Sequence, residues 1–246
     1  MVRVIFLGVG GWISEPFLGY TSLIIESRDK RILIEAGEGV YRYLRQCGYD
    51  VTDIDLITIT HKHGDHVLGI PTLILMALHK GRKEIEIISI YDVIETLKIL
   101  LNSIGMEHLT DYVRFTEIRP GDSVHRYQFV LNFIEALHTV QAVSIKVDVD
   151  GKCIAFSGDT IYNPLLIDFV KNCDVLIHEV SNYSDVARNY GHSSYRDAIY
   201  LASKADIKIF VPIHFYRLPL PIDLSLFENI KEMQIFVPSP CTVLEL

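Results

Sequence analysis

Between Leu56 and His66 the chain runs from a short apolar stretch, Leu56-Ile57-Thr58-Ile59-Thr60, directly into His61-Lys62-His63-Gly64-Asp65-His66. The stretch reads as a buried strand, and the residues after it carry three imidazoles and a carboxylate. A loop anchored by a buried strand can hold such side chains in a fixed cluster. Imidazole nitrogen combined with carboxylate oxygen suits zinc, manganese or iron. The competing reading is a polar loop with incidental histidines. A chance match to His-x-His-x-Asp-His in a chain of this composition has odds of roughly one in a thousand, which favours the metal.

A metal bound at the end of one strand needs further ligands at the ends of others, and candidates occur there. His138 follows the alternating stretch Tyr127 to Glu135, and His214 follows Ile207 to Val211. Asp159 follows Cys153 to Ser157, inside Ser157-Gly158-Asp159-Thr160. Each alone would more often be an ordinary loop residue. Their shared position just past a strand supports reading them together.

The other elements follow from periodicity. Val2 to Leu7, Ser22 to Glu26, Arg31 to Glu35 and Glu84 to Ile90 read as strands. Tyr41 to Cys47 reads as a short helix and His66 to Lys80 as a longer one. Val93, Leu97, Leu100, Leu101 and Ile104 recur at helical spacing. Tyr127 to Glu135 and Ala142 to Val149 alternate as half-buried antiparallel strands do. Asp150-Gly151 is a two-residue turn signal, and Asn163-Pro164 marks the start of a helix ending near Lys171. Strand Asp174 to His178, helix Ser193 to Ala205, strand Ile207 to Val211, helix Leu224 to Met233 and two short terminal strands complete the chain. Hairpins interspersed with helices imply two mixed sheets packed face to face with helices outside, not a doubly wound parallel sheet. No repeat or linker divides the chain, so one domain over residues 1–246 is expected.

Composition narrows the function classes. Hydrophobic residues make up 49% and charged residues 22%, which is ordinary for a protein with a sizeable core. With 23 basic against 31 acidic residues the net charge is −8, so a body built to grip nucleic acid is not indicated. Cys47, Cys153, Cys173 and Cys241 are scattered and form no C-x-x-C pair. They read as reduced residues of a cytoplasmic protein rather than a disulfide framework. No signal-peptide pattern opens the chain. The longest apolar run, Val67 to Leu78, contains Gly69 and Pro71 and is too short to span a bilayer. A soluble protein, with a homodimer as one assembly open to it, is the expectation.

Taken in order, the motifs resemble the metallo-β-lactamase superfamily and, within it, the ribonuclease Z branch. Phe6-Leu7-Gly8-Val9-Gly10-Gly11 resembles that branch's opening strand and loop, and Glu35-Ala36-Gly37-Glu38-Gly39 its GEG segment. Ser157-Gly158-Asp159-Thr160, Ile177-His178-Glu179, Gly191-His192-Ser193 and Ile213-His214-Phe215 resemble its later motifs. The resemblance implies an α/β fold, the four-layer αββα sandwich of two mixed β-sheets with helices outside. It implies two divalent metal ions, zinc first, with manganese or iron as alternatives. His61, His63 and His138 would bind one ion, and Asp65, His66 and His214 the other, with Asp159 shared by both. Two such ions can deprotonate a shared bridging water and neutralise phosphodiester oxygens during in-line attack. Asp65 could also orient that water or take its proton. By the same resemblance His192 would protonate the leaving oxygen while Glu179 orients its ring. The plainer reading of His192 is that it caps the helix that follows. His178 points away if its stretch is a strand, and His79, His108 and His125 read as surface residues.

The chain also departs from that branch. Ribonuclease Z carries a glycine-rich, basic arm for tRNA, and nothing here resembles it. The branch's Asp in the GEG segment is Glu35, its His-Ser-Thr is His192-Ser193-Ser194, and its His-Phe-Ser is His214-Phe215-Tyr216. Thr139-Val140-Gln141-Ala142 lacks its Pro and aromatic pattern. The implied activity is a dinuclear phosphodiesterase acting on a small phosphodiester or RNA ends. The alternatives are hydrolysis of a thioester, lactone or sulfate ester at the same metals, or a redox-active di-iron centre.

Overall fold

The computed structural model describes residues 1–181, 184–216 and 233–246. Along the first half the strands are β1 (Val2–Gly8), β2 (Ser22–Ser27), β3 (Lys30–Ile34), β4 (Leu56–Thr58), β5 (Ile85–Ile90), β6 (Val113–Ile118) and β7 (Ser123–Arg126). They continue with β8 (Phe129–Ala136), β9 (Ala142–Val149), β10 (Lys152–Phe156), β11 (Val175–Glu179), β12 (Ile209–Ile213), β13 (Gln234–Ile235) and β14 (Val243–Glu245). The helices are α1 (Val40–Gln46), α2 (Gly64–Val67), α3 (Ile70–His79), α4 (Tyr91–Ser103), α5 (Pro164–Phe169) and α6 (Tyr195–Lys204). The helix expected over 224–233 lies outside the described residues, apart from Met233.

The chain divides into two compact units. The first comprises Met1–Val9, Phe17–Arg119 and Ser239–Leu246, and the second Gly10–Pro16 and Pro120–Pro238. The first unit holds a seven-stranded sheet in the order β14-β1-β2-β3-β4-β5-β6. Strands β14 to β3 pair antiparallel, and β3 to β6 pair parallel. β2 and β5 are buried along their whole length, as interior strands covered on both faces should be. Ile24, Leu33, Ile34, Leu73 and Leu97 are among its core residues.

The second unit's sheet runs β13-β12-β11-β10-β9-β8-β7 and repeats the pattern, antiparallel from β7 to β10 and parallel from β10 to β13. Phe129, Phe133, Leu176 and Phe210 anchor its core. Between β9 and β10, Asp150 and Gly151 have φ of 47° and 76°, the left-handed pair a tight hairpin turn needs. Asn163 Oδ1 accepts from the Leu165 N–H at 3.1 Å and so caps α5, as its pairing with Pro164 implies. Two mixed sheets with helices are the expected α/β class.

Three expectations change. The helix read over His66 to Lys80 is two helices, α2 and α3. The Gly69 N–H leaves the helical ladder for the Ala36 carbonyl at 2.8 Å, and Pro71 starts α3 afresh. β6 and β7 escaped the sequence reading because both are edge strands rich in exposed polar side chains. The cysteines are not reduced. Cys47 pairs with Cys241 and Cys153 with Cys173, with Cα atoms 4.9 and 4.7 Å apart. Cys241 comes back to α1 because its N–H bonds the Phe6 carbonyl beside β14, a return across 194 residues that spacing cannot reveal. Cys153 lies in β10, and Cys173 leads into its parallel neighbour β11. Among the described residues no helix is long and apolar enough to cross a membrane.

Candidate active site

In the first unit the loop after β4 is held by the segment after β3. Glu35 is fully buried and has a φ of 63°, a left-handed turn that reverses its side chain out of the strand alternation. Its Oε1 accepts the Thr60 N–H at 2.9 Å, and its Oε2 lies 3.1 Å from His66 Nδ1. The Ala36 N–H donates to the His66 carbonyl at 2.9 Å. A Cβ at Gly37 would stand 2.1 Å from the Asp65 carbonyl oxygen, so only glycine allows this approach.

The cradle fixes how the histidines present themselves. His61 and His66 are fully buried and Asp65 nearly so. His61 Nδ1 is 3.0 Å from the Thr60 hydroxyl, and its Nε2 is 3.2 Å from His63 Nδ1. With Glu35 beside its Nδ1, His66 turns Nε2 towards Asp65 Oδ2 at 3.3 Å.

The second unit carries a matching group. Asp159 is buried after β10, and His214 follows β12 with a φ of 64°. His214 Nε2 lies 3.3 Å and His138 Nε2 4.0 Å from Asp159 Oδ2. His138 Nδ1 donates to the Gly191 carbonyl at 2.7 Å. Burial pushes the His138 pKa below its ordinary value, with the Asp159 carboxylate acting in the opposite direction. On His214 the tautomer follows from the hydrogen bonds. The Ser181 hydroxyl donates to Glu179 Oε2 at 2.7 Å, so at 2.8 Å it can only accept from His214 Nδ1. As neutral rings, both then turn a lone pair towards a carboxylate oxygen. Two acceptors facing each other need a cation between them, and this donor set fits a divalent metal.

Glu179 is the junction of this unit. It is 1% exposed. Besides the Ser181 hydroxyl it accepts the Thr160 N–H at 2.8 Å and sits 3.0 Å from His192 Nδ1, both through Oε1. One carboxylate thus orients His192 directly and His214 through Ser181. The His192 ring lies 5.0 Å from that of His138 and 5.1 Å from that of His214. Glu179, His192 and His214 offer ligand-type atoms within 4.8 Å of one another. His192 is not the cap of α6. That role belongs to Ser194, whose hydroxyl accepts the Asp197 N–H while Asp197 accepts the Ser194 N–H.

Of the residues singled out in the sequence, His61, His63, Asp65 and His66 gather in the first unit, and His138, Asp159, Glu179, His192 and His214 in the second. His178 is buried elsewhere on β11. Its Nδ1 donates to the Glu179 carbonyl at 2.7 Å, and burial lowers its pKa. His79, His108 and His125 are exposed. Two positioning residues had gone unread: Ser181, which belongs to no motif, and Glu35, noted only as a departure from the branch's aspartate.

The chain is 25% identical over 284 residues to the ribonuclease Z of Thermoplasma acidophilum, covering 95% of this chain and 92% of that one. It superposes on the metallo-β-lactamase fold protein YhfI of Bacillus subtilis with a TM-score of 0.86 at 17% identity, covering both chains completely. It superposes on the short form of human tRNase Z with a TM-score of 0.82 at 22% identity, covering 99% of this chain and 98% of that one. The fold is that of the metallo-β-lactamases, on the ribonuclease Z-like side, among metal-dependent hydrolases. A family model described as Anti-Pycsar protein Apyc1 matches residues 2–223.

Proposed function

The chain belongs to the Anti-Pycsar protein Apyc1 family, and from that membership we propose that it is a dinuclear phosphodiesterase of small phosphodiesters, cyclic nucleotides among them. The family's named role, action against Pycsar, is carried to this chain as part of the same reading. His61, His63 and His138 would hold one ion, and Asp65, His66 and His214 the other, with Asp159 shared. Residues 1–246 are taken as one domain in the same proposal. When bound, the ions polarise phosphoryl oxygens and make a water acidic near neutral pH.

The observation that carries the reading is His192, held by a buried carboxylate between two ligand candidates. With Nδ1 engaged by Glu179 at 3.0 Å, His192 keeps Nε2 for a proton. An alkoxide leaves a phosphodiester poorly without protonation, and a positioned histidine is the group that supplies it. Thioesters and lactones need that help less. Asp65 would orient the attacking water or accept its proton. Substrate size follows from charge and from the missing arm, since a body of net −8 has little with which to replace an arm's phosphate contacts.

The test is purified protein with its metals quantified, assayed on precursor tRNA, cyclic nucleotides, bis(p-nitrophenyl) phosphate and a thioester. Hydrolysis of the small phosphodiesters is expected, together with bound zinc, manganese or iron. Protein without bound or activating metal, or with thioester hydrolysis alone, would overturn the proposal.

A further inference from the structure

The loop after β1 runs against the His214 ring and carries an exposed tryptophan. Gly10 forms a parallel bridge with Phe215, and the Gly11 N–H donates to the Phe215 carbonyl at 3.0 Å. Gly11 is pressed onto the site, because a Cβ there would meet the His214 ring at 2.6 Å. The next residue, Trp12, is the only tryptophan in the chain and is 54% exposed, and Ile13 beyond it is 70% exposed. A side chain that large is normally held out of water.

Across the bridge stands a second aromatic residue. Tyr216 is half-buried, with its ring 6.0 Å from that of His192 at 82° and 6.0 Å from that of His214 at 54°. It occupies the position at which the ribonuclease Z branch has the small serine of His-Phe-Ser. The two segments thus each carry an aromatic side chain one residue past the Gly11–Phe215 hydrogen bond. We propose that Trp12 and Tyr216 form a specificity rim, on which a planar ring carried by the phosphodiester, a nucleobase or an aryl group, stacks while its phosphate lies at the His192 and His214 group. The inference rests on the phosphodiesterase reading and deepens it. Stacking on aromatic side chains tolerates any base, because every base has a π-face. The rim therefore selects for a ring and not for a particular base.

Trp12 reports on itself, since the chain's tryptophan emission comes from it alone. The metal-replete protein is titrated with uridine 5′-monophosphate and, separately, with ribose 5-phosphate, neither of which is a phosphodiester. Saturable quenching by the nucleotide and none by the sugar phosphate at equal concentration is the expected result. In turnover, Trp12→Ala and Tyr216→Ala should raise the KM for a nucleobase phosphodiester relative to that for the ring-free glycerophosphoethanolamine by about tenfold. Trp12→Phe should restore the wild-type ratio. Equal quenching by both ligands, or an unchanged KM ratio in both alanine variants, would overturn the rim. The two readings fail separately: a protein that cleaves no phosphodiester refutes the activity, while the emission titration still decides whether a ring sits on Trp12.

Discussion

Replacing His192 with alanine separates leaving-group protonation from every other role of that side chain. His192 lies outside the proposed ligand set, with its ring 5.0 and 5.1 Å from those of His138 and His214, so metal content should not change. Its removal takes one hydrogen bond from Glu179, which keeps the Thr160 N–H and the Ser181 hydroxyl. The folding cost is then that of one hydrogen bond to a charged group, about 1.5–3 kcal/mol, and the protein should remain folded at 25 °C. The chemical cost depends on the substrate. For an alkoxide leaving group, kcat should fall by about 10² or more, equivalent to about 2.7 kcal/mol of barrier. For bis(p-nitrophenyl) phosphate, whose nitrophenolate departs without a proton, the fall should be several-fold smaller. The assay is kcat on both substrates, with metal content and thermal melting measured on the same preparations. Equal losses on the two substrates would refute leaving-group protonation and leave His192 a role in positioning or in the fold.

Three further outcomes follow from the same contacts. Reduction of Cys47–Cys241, which closes 194 residues, should destabilise the protein by about 5 kcal/mol on chain entropy, and Cys153–Cys173, which closes 20, by about 3 kcal/mol. Denaturant titration of the paired Cys→Ser variants would check both the magnitudes and their order. Asp197 is buried, and burial alone would raise its pKa. Hydrogen bonds from Arg188 and Ser194 outweigh that effect and hold it below its ordinary 3.8. A carboxylate depressed in this way stabilises the fold above its unfolded pKa and loses the contribution as pH falls through its folded one. Asp197→Asn should therefore cost stability at pH 7, and that cost should shrink as pH falls below 3.8, as read from melting temperatures across that range. Finally, precursor tRNA should be processed weakly or not at all at ~150 mM salt, and efficient cleavage with a steep salt dependence would refute the inference from the missing arm.

Much of this was legible in the sequence because strand ends announce themselves. His61, Asp159 and His214 each follow a run of buried β-branched or aliphatic residues, and the hairpin at Asp150-Gly151 follows from the left-handed preference of that dipeptide. Interactions that join segments distant in sequence were not legible. Ser181 matters because it stands between Glu179 and His214, 33 residues further on, and nothing local marks it. Glu35 looked like a variant of an aspartate, yet its additional methylene lets one carboxylate touch both Thr60 and His66. Tyr195 to Lys204 was readable as a helix, but its cap was not, since His192 and Ser194 are both plausible in sequence and only backbone geometry chooses Ser194. The cysteines were misread for a related reason: pairing depends on which strands are neighbours, and composition carries no record of that.

The bond between Cys47 and Cys241 also makes most of the chain a covalent ring. Both points where the backbone passes between the large segments of the two units, at 119–120 and 238–239, lie inside it. A protease that cuts once anywhere from residue 48 to 240 therefore releases nothing: the nicked protein keeps its mass and runs as one species on a non-reducing gel. Only after a thiol is added do the fragments separate. A digestion pattern read without reductant would report an intact chain whether or not the backbone had been cut.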